Sequence, residues 1–112
     1  MPIRILGTSP LFVYGRLLDH RFRRAALRGT QPPFRDAILR DYRTVDVPDG
    51  FKNLEPYSGE FVRGRVLYVR PNDLKELDEL SKNKFERRPV VVVSGVKEIE
   101  TEAYFMKQGA FE

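Results

Sequence analysis

Short β-prone runs bounded by glycine or proline recur along this 112-residue sequence. Residues 11–14 (LFVY) precede a glycine, residues 60–69 come just before a proline, and the Val-rich residues 87–94 precede another glycine. β-Branched and aromatic residues bounded by such breaks are typical of strands. A sheet, rather than a bundle of helices, is therefore predicted to form the core.

Four more segments complete this pattern. Residues 37–47 have the composition of one bent strand or of two short ones, and residues 48–50 (PDG) are typical of a turn. Residues 53–56 are predicted to form a brief strand that stops at a break at residues 58–59. Residues 101–106 are predicted to form the last strand.

Two segments have the spacing of amphipathic helices instead. In residues 19–28 the apolar side chains recur every three or four positions, and a glycine follows. Residues 73–81 carry a stripe of three leucines, and Asn72 is predicted to be their N-cap. Ser81 lies seven residues after Leu74, at the edge of this stripe, so its side chain is predicted to face inward.

About six strands and two short helices predict an α+β fold, in the form of a small mixed β-barrel. A chain of 112 residues, 41% of them apolar, suffices for one hydrophobic core and not for two. We divide the chain into an N-terminal extension (residues 1–10), one domain (residues 11–106) and a C-terminal tail (residues 107–112). The absence of cysteine excludes disulfides, thiol nucleophiles and thiolate metal ligands.

The cellular location follows from what the sequence lacks. No run approaches the ~20 apolar residues of a membrane-spanning helix. Residues 1–10 lack the apolar segment and the cleavage site of a secretory signal. We therefore expect a cytoplasmic protein without a membrane partner.

Positive charge is concentrated in the first part of the chain. Residues 1–47 carry nine arginines and four acidic residues, whereas residues 48–112 carry eleven basic and twelve acidic residues. Four of these arginines, at positions 21, 23, 24 and 28, lie in one predicted helix. Because no nucleic-acid motif or aromatic stacking platform accompanies them, we interpret them as a solvated helix face and do not expect nucleic acid as the partner.

Several motifs follow one another in the order and spacing of a known family. Residues 12–18 (FVYGRLL) resemble its F-V-Y-G-[ST]-L opening, and residues 53–56 (NLEP) resemble its Y-P-x-[IL]-x-P segment. Residues 62–67 (VRGRVL) resemble V-x-G-x-[VL]-[FY], and residues 77–88 (LDELSKNKFERR) resemble L-D-x-[FLY]-E-[GD]-x-x-Y-E-R-R. Over residues 11–106 the chain thus resembles the γ-glutamylcyclotransferase-like family, in particular its branch of plant avirulence-induced proteins.

The resemblance implies a barrel with a cavity at one end, lined by the Y-G-x-L loop and by the helix that carries a glutamate. In active members the α-amino group of a γ-glutamyl substrate attacks its own γ-carbonyl, which releases an amine or peptide and forms 5-oxoproline. The glutamate accepts the proton of the ammonium group. Backbone N–H groups of the loop can receive the substrate carboxylate, and neither a metal nor a cofactor is required.

By this resemblance, Ser81 occupies the position of the catalytic glutamate. It departs from the family pattern, because a hydroxyl group does not accept a proton near neutral pH. Asp78, three residues earlier on the same predicted helix, is the candidate for a substitute base. The residues that the resemblance assigns to substrate binding are Tyr14, Gly15, Arg16, Leu17, Phe85 and Tyr104, with Arg16 where the family has Ser or Thr and Phe85 where it has Tyr.

Three functions remain open at this point. The first is a module that keeps a pocket for a small molecule with a γ-glutamyl or other anionic group but lacks the base. The second is an active γ-glutamyl cyclotransferase that uses Asp78. The third is a nucleic-acid-binding protein that uses the basic helix. Since the exchange at Ser81 removes the proton acceptor, the sequence favours the first.

Overall fold

The computed structural model describes residues 7–29 and 31–109, which contain five strands and two helices. The strands are β1 (Ser9–Val13), β2 (Phe34–Asp46), β3 (Lys52–Val69), β4 (Phe85–Ser94) and β5 (Lys97–Met106). The helices are α1 (His20–Ala26) and α2 (Pro71–Ser81), and short 3-10 turns span Gly15–Leu18 and Pro48–Gly50.

The five strands close into a barrel in the order β1-β3-β2-β4-β5. Neighbouring strands run antiparallel, except that β1 and β5 run parallel where Leu11 pairs with Glu102. The barrel is therefore mixed, and two helices accompany it. This confirms the predicted α+β barrel.

The two faces of β1 contact different apolar clusters. Phe12 belongs to one cluster, whereas its neighbours Leu11 and Val13 belong to a second cluster with Leu77 of α2. Because side chains alternate across a strand, one face of β1 lines the barrel interior and the other is covered by helix. Further members of the interior cluster include Ala37, Leu39, Leu54, Val62, Val66, Tyr68, Val92, Ala103 and Phe105.

Strands β2 and β3 form one long hairpin that continues through the break predicted at residues 58–59. Their pairing shifts register between Arg40 and Tyr42. At this shift, Asp41 Oδ1 accepts a hydrogen bond of 3.0 Å from the Gly59 N–H. The Asp41 carboxylate thus pairs with a backbone N–H group that the interrupted strand pairing does not use. The predicted break is a bulge inside a strand, and for this reason the barrel has five strands rather than about six.

Helix α1, predicted over residues 19–28, is shorter at both ends, and Asp19 is its N-cap. The Asp19 Oδ1 accepts hydrogen bonds from the backbone N–H groups of Arg21 (2.8 Å) and Phe22 (3.2 Å). These two bonds hold the pKa of the Asp19 carboxyl below its usual value. The helix stops at Ala26, and Arg28 has a φ of 53°, outside the helical region.

Helix α2 begins at Pro71 with Arg70 in the N-cap position, whose side chain makes no capping bond. The prediction that Asn72 caps a helix starting at Asp73 is therefore wrong. Proline is favoured at the first helical position because the N–H that it lacks would have no partner there and its φ already suits the helix. Here Pro71 starts the helix as well as ending the strand.

None of the helices in the described part of the chain has the length and apolar composition to cross a bilayer. The predicted N-terminal extension and C-terminal tail fall partly on residues 1–6 and 110–112, which lie outside the described residues. Strand β1 begins at Ser9, two residues before the start of the predicted domain.

Candidate functional site

A pocket of about 280 Å³ lies where the Gly15–Leu18 turn, α1, the end of the β2–β3 hairpin and the last turn of α2 meet. Its walls come from separate stretches of the chain. They are formed by Phe12, Val13, Tyr14, Arg16, Leu17, Phe22, Ala26, Phe51, Lys52, Leu77, Leu80, Ser81, Asn83, Lys84, Phe85 and Tyr104. The volume is close to the lower end of the range for small-molecule sites, roughly 300–1,000 Å³.

Gly15 lets the turn reach the hairpin. Its φ is +59°, a conformation that residues with a Cβ rarely adopt. A Cβ at this position would also lie 3.3 Å from Lys52 Cβ, which is tighter than an ordinary contact. The turn that follows carries Arg16 and Leu17 into the pocket wall.

Aromatic rings hold the hairpin end against α1. The ring of Phe51 contacts those of Phe22, at 6.2 Å, and of Phe85, at 5.8 Å between centroids. The Arg16 guanidinium lies 4.9 Å from the ring centroids of both Phe22 and Phe51. Since a guanidinium is attracted to aromatic faces, these contacts fix one cation at the edge of an otherwise aromatic wall.

Two tyrosines connect the Gly15–Leu18 turn to α2. The Tyr14 hydroxyl donates a hydrogen bond of 2.5 Å to the backbone carbonyl of Tyr104, and the Tyr104 hydroxyl donates one of 2.7 Å to Asp78 Oδ1. Burial raises the pKa of the Tyr14 phenol above its usual value. Burial, and then the bond to Asp78, raises the pKa of the Tyr104 phenol. Both phenols therefore stay protonated at neutral pH.

Asp78 is engaged by an arginine outside the pocket. Arg87 donates from Nε to Asp78 Oδ1 at 2.8 Å and from Nη2 to Oδ2 at 2.9 Å, and from Nη1 to Glu102 at 2.6 Å. The hydrogen bond to Asp78 raises the pKa of Arg87 above its usual value. With the Tyr104 bond, the Asp78 carboxylate accepts three hydrogen bonds, an arrangement typical of a structural ion pair.

Ser81 lies in the pocket wall, on the last turn of α2. Its Oγ donates a hydrogen bond of 2.7 Å to the Leu77 carbonyl, one helical turn earlier. The inward orientation predicted from the leucine stripe is thus what the structure has. A serine that bonds back to its own helix offers a hydroxyl oxygen to a ligand but no proton acceptor of useful basicity.

The charges around the pocket are positive. Arg16, Lys52 and Lys84 line it, and among the described residues of its wall there is no aspartate or glutamate. Lys52 Nζ also lies 2.5 Å from Asp46 Oδ1, whose side chain is largely exposed. The pocket thus has a mainly apolar wall to which three basic residues contribute.

The pocket brings together most of the residues that the sequence singled out. Tyr14, Arg16, Leu17, Ser81, Phe85 and Tyr104 line it, whereas Gly15 and Asp78 do not belong to its described lining. Sequence reasoning missed Phe22, Phe51, Lys52 and Lys84. The apolar face of the predicted helix could have indicated Phe22. Phe51 and Lys52 line the pocket because of where the β2–β3 hairpin ends, which the local sequence does not indicate.

The raised pKa values of the two tyrosines predict that the protein loses stability in alkali. Above about pH 10, the usual tyrosine pKa, an unfolded chain releases these protons while the folded one retains them. The free energy of unfolding should then fall with pH, by up to about 1.4 kcal/mol per pH unit for each tyrosine. Urea unfolding between pH 8 and 11 measures this slope.

Tyr14→Phe removes one of the two groups and should make the slope shallower. Tyr57→Phe is the matched control, since Tyr57 is 45% exposed and its phenol need not be desolvated on folding. Equal slopes in the wild type and in Tyr14→Phe would contradict the prediction.

A model of the family described as "Gamma-glutamyl cyclotransferase, AIG2-like" matches residues 11–112 of the chain. Comparison with the curated proteins finds no match.

Solved structures with the same fold include one from a plant and one from a human protein. The solution structure of At5g39720.1 from Arabidopsis thaliana has a TM-score of 0.80 at 23% identity and covers 94% of this chain and 72% of that one. The structure of an uncharacterized protein from Homo sapiens has a TM-score of 0.78 at 20% identity, with 91% and 68% covered.

A structure named gamma-glutamyl cyclotransferase has a TM-score of 0.76 at 21% identity and covers 89% of this chain and 67% of that one. At these identities the three likenesses establish the fold alone.

Proposed function

Because the chain belongs to the gamma-glutamyl cyclotransferase, AIG2-like family, we propose that its pocket binds a small molecule with a γ-glutamyl or other anionic group. We propose further that the protein acts in the cytoplasm and forms 5-oxoproline weakly or not at all. One observation carries the proposal: the pocket wall contains three cations and Ser81, with no carboxylate among its described residues.

The placement of the cations supports an anionic ligand. Arg16, Lys52 and Lys84 stand beside apolar wall residues such as Leu77 and Phe85. Charge pairs are stronger in such surroundings than in open water. The apolar wall can contact the uncharged part of the ligand, while the cations orient its anionic end.

The surroundings of position 81 support weak or absent cyclisation. Ring closure needs a group that accepts the proton of the substrate ammonium. Ser81 instead donates its hydroxyl proton to the Leu77 carbonyl. Asp78 is occupied by Arg87 and Tyr104, which argues against its use as a substitute base.

Ligand-dependent thermal unfolding tests the binding proposal. γ-Glutamylalanine at 100 times its dissociation constant should raise the free energy of unfolding by about 2.7 kcal/mol. Lys52→Met should weaken binding about tenfold, because one charge-assisted contact is lost. Lys75→Met is the matched control, since Lys75 is an exposed residue of α2 that does not belong to the described lining.

Absence of stabilisation by γ-glutamylalanine, glutamate and simple carboxylates would overturn the proposal, and so would equal effects of the two lysine variants. The same preparation should release no more 5-oxoproline from γ-glutamylalanine than a protein-free sample. If the wild type did release 5-oxoproline and Asp78→Asn did not, the protein would be an active cyclotransferase that uses Asp78, not a binding module.

A further inference from the structure

A second recess, of about 540 Å³, lies beside α1 and shares none of its described residues with the pocket. His20, Arg23 and Arg24 of α1 form one side of it, and Phe34 of β2 and Arg65 of β3 form another. We call it the arginine groove after these five residues. Other side chains of α1 line the pocket, so this short helix stands between the two recesses.

Positive charge in the arginine groove has little compensation. None of the described residues that line it is an aspartate or glutamate. Arg65 Nε lies 3.4 Å from Asp36 Oδ1, but the Asp36 side chain is 86% exposed, and surface pairs of this kind contribute little. Burial, and then the nearness of Arg65, lowers the pKa of the Arg23 guanidinium, and the charge of Asp19 opposes this only in part. The fold thus holds like charges together on one concave surface.

We propose that the arginine groove binds an anion with at least two negative charges, of the phosphate monoester or pyrophosphate class. Three guanidinium groups supply more positive charge than a single carboxylate can balance. Guanidinium groups also match phosphate oxygens in pairs, with two parallel N–H donors. The groove is open enough to admit such a group together with a small organic part.

Phe34 adds an apolar surface beside the cations. Its side chain is half exposed, and the Arg65 guanidinium lies 4.2 Å from its ring centroid. Two prolines, Pro32 and Pro33, continue this surface. A phosphorylated ligand with a planar ring would contact this surface in addition to the arginines, whereas inorganic pyrophosphate would contact the arginines alone.

Arg23 connects the arginine groove to the pocket. Its Nη1 donates to the carbonyls of Leu17, at 2.9 Å, and of Leu18, at 3.3 Å. These residues belong to the Gly15–Leu18 turn, which also forms part of the pocket wall. Because Arg23 has this structural task, it is left unchanged in the test.

Isothermal titration of the wild-type protein at low ionic strength, with pyrophosphate, inorganic phosphate, AMP and acetate, tests the proposal. Pyrophosphate is expected to bind at least about tenfold more tightly than acetate, and more weakly as salt is added. The double substitution Arg24→Gln and Arg65→Gln should weaken pyrophosphate binding by about tenfold or more. Tighter binding of AMP than of inorganic phosphate would identify a nucleotide-like ligand. It would also support contact between the planar ring of the ligand and Phe34 in the arginine groove.

Two control variants locate the anion. Arg21→Gln removes the same charge from an exposed position on α1 outside the described groove lining, and it should leave the affinity within about twofold. Lys84→Met removes a cation of the pocket and should act likewise. Arg24→Gln alone, at an exposed position, keeps the test valid if the double variant does not fold.

Four results would overturn the proposal. They are no pyrophosphate binding at low salt, equal losses in Arg21→Gln and Arg24→Gln, a larger loss in Lys84→Met, and tighter binding of a single-stranded oligonucleotide than of pyrophosphate. The last would make this surface a nucleic-acid site.

Discussion

Ser81→Glu is expected to increase the release of 5-oxoproline from γ-glutamylalanine by about 10²-fold or more over the wild type. The reason is that a positioned general base contributes roughly 10²–10⁴-fold to such a step. Position 81 lies in the wall of the pocket that Tyr104 and Arg16 also line. A carboxylate on the last turn of α2 would place a proton acceptor where the wild type has a hydroxyl.

Ser81→Gln is the matched control for this experiment, because glutamine has the shape of glutamate without its basicity. The activity of Ser81→Glu should rise with pH as the new carboxyl ionises, whereas Ser81→Gln should stay at the wild-type level. Equal product formation by the two variants would contradict the prediction. It would mean that the pocket no longer orients a γ-glutamyl group for ring closure.

Gly64→Ala is expected to lower the free energy of unfolding by about 3 kcal/mol or more, at the upper end of the cost of overpacking. A Cβ at Gly64 would lie 2.3 Å from the carbonyl oxygen of Val13 and 2.7 Å from Cζ of Phe12. A side chain can swing away, but the Val13 carbonyl belongs to the backbone of β1, which is paired with β3. The strands would have to separate to admit one methyl group.

Gly95→Ala is the comparison for this substitution. Gly95 has a φ of +62° in the turn between β4 and β5, and nothing lies within 4 Å of an added Cβ. Its alanine variant should therefore lose only about 1 kcal/mol, from backbone strain. Denaturant unfolding of both variants measures the two losses of free energy. A loss in Gly64→Ala no larger than that in Gly95→Ala would contradict the prediction and show that β1 and β3 can separate at little cost.

The parts of the fold that depend on local signals could be predicted from the sequence. The leucine stripe of α2 was sufficient to orient Ser81 inward, because side chains one turn or two turns apart share a helix face. The apolar spacing in residues 19–28 was sufficient to locate α1, since helical periodicity is a local property of the sequence. The motif at residues 12–18 marked the turn that lines the pocket.

Features that depend on distant partners could not be predicted in this way. The continuous β3 strand is an example, because Gly59 is bonded by Asp41, a residue 18 positions earlier in the chain. The engagement of Asp78 is another. Its spacing from Ser81 suggested a substitute base, but the position of Arg87 and Tyr104 follows from the pairing of β4 with β5. The pattern of charge and hydrophobicity along the sequence does not predict which residues of β4 and β5 pair.

The placement of β1 has a consequence for the order of events during folding. This strand, near the start of the described chain, is held between β3 and the last strand, β5. Contacts between residues so far apart in sequence are slow to form, since a long stretch of flexible chain must first be confined. We expect closure of the barrel to be a late folding step. The protein should therefore bind its ligand only after β5 has paired with β1.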